Sequence, residues 1–202
     1  PHGGGLSSSA AIEVSAAIAM ASLGGATNID NIEMAKISQL AEHNYIGVNC
    51  GIMDQFASAM GKKNHVIFLN CKTLDYKLVP IQLDGYKLVI SNTNKKRSLA
   101  DSKYNERRSE CEKGLELLKA ELPDKTCLGD ISAEEFESAK HVISEDDRVL
   151  RSVDVLQKGD LKAFGELMTA SHESLRDLYE VSCTELDTLV ESALKLDSVL
   201  GS

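Results

Sequence analysis

Pro1-His2-Gly3-Gly4-Gly5-Leu6-Ser7-Ser8-Ser9-Ala10 is the stretch on which the reading of this 202-residue chain turns. Three successive glycines serve neither a helix nor a packed strand, since each forfeits side-chain burial and costs backbone entropy. They permit positive φ and close approach of the main chain to another group. Three hydroxyls come next, then Ala10, Ala11, Ile12, Val14, Ala16, Ala17, Ile18, Ala19 and Met20, an apolar run with little polar face. The pattern predicts a buried helix entered through a glycine loop. Unpaired N–H groups and a partial positive charge make such a junction a seat for phosphate. The other reading is a glycine turn with a serine cap; the run Ser7, Ser8, Ser9 favours phosphate. No Gly-Lys-Ser/Thr is present after the glycines, so this is not a Walker loop. Without that lysine, phosphate charge needs another counterion, and Mg²⁺ on acidic side chains is the one to look for downstream.

Working outward, composition bounds the class. Apolar and charged fractions of 43% and 26% are those of an ordinary soluble domain, long enough to bury a core. A net charge of −9 points to no nucleic-acid or anionic-membrane partner. Cys50, Cys71, Cys111, Cys127 and Cys183 are odd in number and form no Cys-x-x-Cys pair, which fits core packing in a reducing cytosol better than a disulfide frame or zinc site. No apolar run reaches membrane-spanning length, because Glu13 and Ser15 break the longest.

The first helix is expected to end at Leu23, before Gly24-Gly25, and Asp30 to cap a second carrying Ile32, Ala35, Ile37, Leu40 and Ala41. Glu42 falls at the unfavourable, C-terminal end of that helix, a local cost that marks it for function. Residues 47–51 read as a turn and 52–60 as a short helix with Asp54 and Gln55 in its first turn. His65-Val66-Ile67-Phe68-Leu69 and Tyr76-Lys77-Leu78-Val79-Pro80-Ile81 read as a hairpin, with Pro80 at an edge, and Tyr86-Lys87-Leu88-Val89-Ile90-Ser91 as a third strand. A domain boundary is placed at 83/84. Helices are expected beyond it: a charged one from Ser98 to about Leu122, a short one over 134–139, and longer ones from Asp146, from Asp160 and after Ser182.

Several of these stretches together resemble one family. They are the loop from Pro1 to Ala10, Ala41-Glu42-His43-Asn44-Tyr45, Cys50-Gly51-Ile52-Met53-Asp54-Gln55, Asn92-Thr93-Asn94, Ser98-Leu99, Tyr104-Asn105 with Arg107-Arg108, and Ser171-His172 continuing through Arg176-Asp177 and Tyr179-Glu180-Val181-Ser182-Cys183 to Glu185-Leu186-Asp187. In this order they resemble galactokinases of the GHMP kinase superfamily. The resemblance implies an α+β, two-lobed GHMP-kinase fold, with a lobe like ribosomal protein S5 domain 2 over 1–83 and a helix-rich, ferredoxin-like lobe over 84–202. It implies ATP-dependent phosphorylation of α-D-galactose at the C1 hydroxyl, in the cytoplasm. Gly3, Gly4, Gly5, Leu6, Ser7 and Ser8 would line the ATP phosphates; Ser9 and Glu42 match the two positions that hold Mg²⁺, a hydroxyl and a carboxylate suited to a hard cation. Asp54 matches the catalytic aspartate beside the attacking hydroxyl, and Gly51 and Tyr104 match sugar contacts. Taken singly, Glu42 reads as a solvated charge, Asp54 as a helix-start residue and Tyr104 as packing; their joint spacing lifts them. Gln55, Arg107 and Arg108 read as structural, and Arg97 stands where the family commonly has His.

Two further family motifs, an N-terminal one that carries sugar contacts and a C-terminal glycine-rich one, have no counterpart here. The chain therefore reads as a fragment incomplete at both ends, of which very weak galactose phosphorylation is expected. The alternatives are a kinase for another sugar such as N-acetylgalactosamine, a non-catalytic galactose- and ATP-binding regulator, or a structural fragment whose edges self-associate.

Overall fold

The computed structural model describes residues 5–93, 103–119, 123–131 and 140–202. Contacts divide the chain into two units. One runs to Val79 and also takes 103–105; the other holds Pro80–Thr93 and resumes at Glu106.

In the first unit, α1 (Ser8–Leu23), α2 (Asn31–Ala41) and α3 (Met53–Met60) pack on one another, and a π-helical turn, Glu42–Ile46, continues α2 without a break. Asp30 caps α2 as expected: its Oδ1 accepts from Ile32 N at 2.9 Å and Glu33 N at 3.4 Å. Gly24 ends α1 and Gly47, in the left-handed region, ends the π turn. Ala10 and Val14 of α1, Ala35 of α2, Val48, Ile52, and Phe56 of α3 form the core, joined by Val79. Phe56 is fully buried and meets Tyr76 edge-on with ring centroids 5.4 Å apart. Burial of such a side chain contributes about 1.5–3 kcal/mol. Asn31 Nδ2 donates to Ala59 O at 3.1 Å, tying the start of α2 to the end of α3.

The hairpin pairs β1 (His65–Leu69) with β2 (Tyr76–Pro80). Asn70 organises its loop, accepting from Lys72 N and Thr73 N at 2.9 and 3.1 Å. The third expected strand does not form. Residues 86–91 are irregular, with Leu88, Val89 and Ile90 exposed, because no strand among the described residues offers them a ladder. Apolar alternation supplies a face, and a strand also needs a partner for its N–H and C=O groups. A second correction concerns α1. Read as buried, it covers one stripe only: Ile12, Met20 and Leu23 are exposed, since α2 and α3 pack on the Ala10–Val14 side.

The second unit is helical: α4 (Lys103–Leu118), a 3-10 turn at Leu128–Asp130, α5 (Lys140–Gln157), α6 (Leu161–Asp177) and α7 (Thr184–Leu194). Asp160 caps α6 through Ala163 N at 3.0 Å. α5 packs along α6, and Ser171 donates to Glu145 at 2.8 Å between them. The last residues cross α6 so closely that a Cβ on Gly165 would lie 2.9 Å from Gly201 N and nearer still to the Leu200 carbonyl. Only glycine fits there. The short helix expected over 134–139, and the ends of the charged helix expected from Ser98 to Leu122, lie outside the described residues. Among the described residues no helix is long and apolar enough to cross a membrane.

Candidate functional site

Gly3 and Gly4 lie outside the described residues. The chain then enters α1 through two left-handed residues, Gly5 at φ +72° and Ser7 at φ +53°. For serine that conformation costs on the order of 1–2 kcal/mol, and strain of this kind collects at ligand sites. Ser7 occupies the N-cap position, yet its side chain makes no capping bond, and the first turn holds no acidic residue. α2, by contrast, carries Asp30 as cap and Glu33 in its first turn. The positive end of α1 is therefore left uncompensated by its own side chains, with Leu6 exposed beside it and Ser8 and Ser9 as its first helical residues. This is the electrostatic condition for an anion seat.

Glu42 departs furthest from its single-residue reading. It is 4% exposed, drawn inside by the π turn that begins with it. Such extra-residue turns re-aim side chains and are frequent at functional sites. Its carboxyl hydrogen-bonds that of Glu13 on α1. Burial first, then the charge of Glu42 and that hydrogen bond, push the Glu13 carboxyl above its ordinary value. Cys50 lies in the same neighbourhood; burial chiefly raises its thiol, with Glu42 and Glu13 adding. The Cys50 carbonyl accepts from Gln39 Nε2 at 3.1 Å and meets His43 Nε2 at 2.8 Å, which fixes the 47–51 turn against α2.

Asp54 and Gln55 lie in the first turn of α3 and differ in burial. Asp54 is exposed, whereas Gln55 is 2% exposed, its Nε2 3.9 Å from Cys50 Sγ. Gly51, exposed, precedes them in the turn. Tyr104 falls in the first turn of α4, its side chain outside what is described, and Arg97 lies outside the described residues altogether. Two residues of this neighbourhood escaped the sequence reading. Glu13 counted only as a break in an apolar run, although its place four residues after Ser9 sets both on one helix face. Gln55 read as structural.

A metal fits this donor set. Two carboxyls in contact, one of them nearly inaccessible, call for a proton or a cation between them, and their donors are hard oxygens. No group of three His, Cys, Asp or Glu side chains among the described residues forms a ready cage. Mg²⁺ in general keeps waters and phosphate oxygens in its shell rather than a full set of protein ligands.

The family model described as GHMP kinases N terminal domain matches residues 1–62, and the one described as GHMP kinases C terminal matches 152–202. The chain belongs to the GHMP kinases. Its helix-rich units and small sheet are those of the GHMP kinase fold, with both domains represented. The chain is 48% identical to the galactokinase of Clostridium tetani and 50% identical to that of Clostridium beijerinckii, over 100% of its own length and 55% of theirs. The crystal structure of Lactococcus lactis galactokinase complexed with galactose superposes with a TM-score of 0.93 at 42% identity, covering 100% of this chain and 55% of that one. This GHMP kinase chain thus spans about half the length of the curated relatives it matches. All five of its cysteines are thiols.

Proposed function

We propose that this chain provides the nucleotide- and metal-binding part of a galactokinase, which transfers the γ-phosphoryl group of ATP to the C1 hydroxyl of α-D-galactose. The observation that carries this is its likeness, over its whole length, to a galactokinase solved with galactose. The uncapped start of α1 and the contact of Glu13 with the buried Glu42 support it independently.

In this reading residues 1–83 form the lobe that holds the phosphates, and 84–202 belong to the second lobe. Gly3, Gly4, Gly5, Leu6, Ser7 and Ser8 wrap the triphosphate, with backbone N–H groups turned to its charge. The Ser9 hydroxyl and the Glu42 carboxylate hold Mg²⁺, which when bound neutralises charge on the phosphate oxygens. Gly51 through its backbone and Tyr104 through its hydroxyl hold the sugar. Asp54 orients the C1 hydroxyl and accepts its proton as the C1 oxygen bonds to the γ-phosphorus and the bond from that phosphorus to the ADP oxygen breaks. An exposed carboxylate suffices, because phosphoryl transfer depends on positioning and charge stabilisation more than on a strong base. A cytoplasmic setting is part of the same reading and agrees with five unbridged thiols.

The test is ³¹P NMR of the chain incubated with ATP, Mg²⁺ and galactose. The expected product is galactose 1-phosphate, even at a low rate, since the position of the phosphate is what discriminates. Transfer to N-acetylgalactosamine in preference, or binding of ATP and galactose with no transfer, overturns the assignment in favour of another sugar kinase or of a regulator.

A further inference from the structure

Five buried side-chain nitrogen or oxygen atoms make no hydrogen bond among the described residues, and they are of two kinds. Glu145 Oε1 and Arg148 Nη1 face each other as an ion pair, and His172 Nε2 lies 3.3 Å from Asp187 Oδ1. Each of these three therefore meets an opposite or acceptor group. Glu13 Oε2 and Gln55 Oε1 have neither hydrogen bond nor ion pair among the described residues, and both are acceptors.

Their surroundings coincide. Glu13 stands one turn after Ser9 on the same face of α1 and hydrogen-bonds Glu42. Gln55 is 2% exposed and anchored by Nε2 to Cys50, whose thiol lies within reach of the charges of both Glu13 and Glu42. A buried acceptor without a donor costs about 1–3 kcal/mol. One of them belongs to the carboxyl pair and the other lies beside it, an arrangement that a cation and its water relieve. Acceptors without donors cannot be satisfied by an anion.

We propose that Glu13 and Gln55 belong to the divalent-cation site that Ser9 and Glu42 begin: Glu13 turns a second carboxylate to the cation, and Gln55 Oε1 accepts a hydrogen bond from water in its shell. This rests on the kinase reading and deepens it, because it assigns two residues which that reading leaves unused. Gln55 is a positioning residue, acting through water. Its partner Cys50 is held by Gln39 and His43, so the wall behind the cation is fixed.

The experiment is an electron paramagnetic resonance titration of the full chain with Mn²⁺, alone and with ADP, on wild type and on Glu13→Gln, Glu13→Asp, Gln55→Leu and Glu42→Gln. Glu13→Gln is expected to weaken Mn²⁺ binding about tenfold or more, and Gln55→Leu by a smaller factor, within the range typical of groups that support a metal. Glu13→Asp, which keeps the charge, recovers most of the affinity. If Glu42→Gln loses Mn²⁺ while Glu13→Gln and Gln55→Leu keep wild-type affinity, this inference falls and the kinase reading stands. If wild type takes up neither Mn²⁺ nor Mn·ADP, both fall together. A measurement on wild type alone guards against variants that do not fold: Mn²⁺ should broaden the side-chain amide resonances of Gln55, and unbroadened resonances at saturating Mn²⁺ overturn the proposal.

Discussion

The α1–α3 cluster and the α6–α7 junction both bury polar groups, and they treat them differently. At the junction, Asp187 Oδ1 accepts from Ser182 Oγ at 2.5 Å and faces His172 Nε2 at 3.3 Å, so the loop between the two helices is clasped by groups that answer one another. In the cluster, Glu42 and Glu13 meet as like groups, and Glu13 Oε2 and Gln55 Oε1 go unanswered among the described residues. A fold stabilised for its own sake takes the first arrangement, because an unmet buried acceptor costs as much as several good contacts contribute. The second arrangement makes sense when something outside the chain completes it. The contrast separates architecture from chemistry, although both places lie within motifs that resemble galactokinases.

Substitutions can break that contrast in either direction. The largest effect is expected at Asp54, whose replacement by Asn should lower phosphoryl transfer by about 10²–10⁴-fold. Thermal unfolding should be unchanged, because this carboxylate is exposed at the start of α3. A melting temperature that falls along with the activity would place Asp54 in the architecture. Asp187→Ala should show the reverse. It leaves Ser182 without its acceptor and His172 without the carboxylate that faces it, and should cost about 1–3 kcal/mol in urea unfolding, with Mn²⁺ affinity kept. Next comes Gly165→Ala, whose new methyl group would press on the Leu200 carbonyl and on Gly201 N at 2.9 Å. A loss of about 1–3 kcal/mol is expected from overpacking, again without effect on the metal.

The smallest effect concerns Asp146 on α5, whose carboxyl is pushed above its ordinary value by burial. The folded chain then holds this proton more tightly than the unfolded chain. The stability it contributes is full below the unfolded carboxylate range and is lost as pH rises through the raised folded value. Asp146→Asn should flatten that part of a stability profile, at pH values just above those of an ordinary aspartate. An unaltered slope would show that burial there leaves the carboxyl unperturbed.

Much of this was legible in the sequence where the signal is local. Asp30 and Asp160 announced two helix starts, Gly24 a helix end, and Asn70 to Asp75 a hairpin loop, because caps and turns are decided within four or five residues. The segment from Tyr86 to Ser91 misled for the opposite reason: alternation of apolar residues says nothing of whether a neighbouring strand is present. α1 misled likewise, since an apolar run does not reveal how many sides will be covered. At the site, the spacing of Ser9, Glu42 and Asp54 was readable through resemblance to a family. The inward turn of Glu42 was not, because a π turn is one extra residue in a helix and leaves no mark in periodicity. Glu13 and Gln55 went unremarked because acceptor atoms that packing leaves without donors are a property no spacing reveals.

Hydrogen exchange, followed by mass spectrometry with and without Mg²⁺ and a non-hydrolysable ATP analogue, tests the contrast between the two regions most directly. The account predicts slowed exchange in 5–13 and in 42–55, where the uncapped helix start and the unanswered acceptors lie, and none in 161–190. Protection confined to 161–190, or equal in both regions, would contradict it.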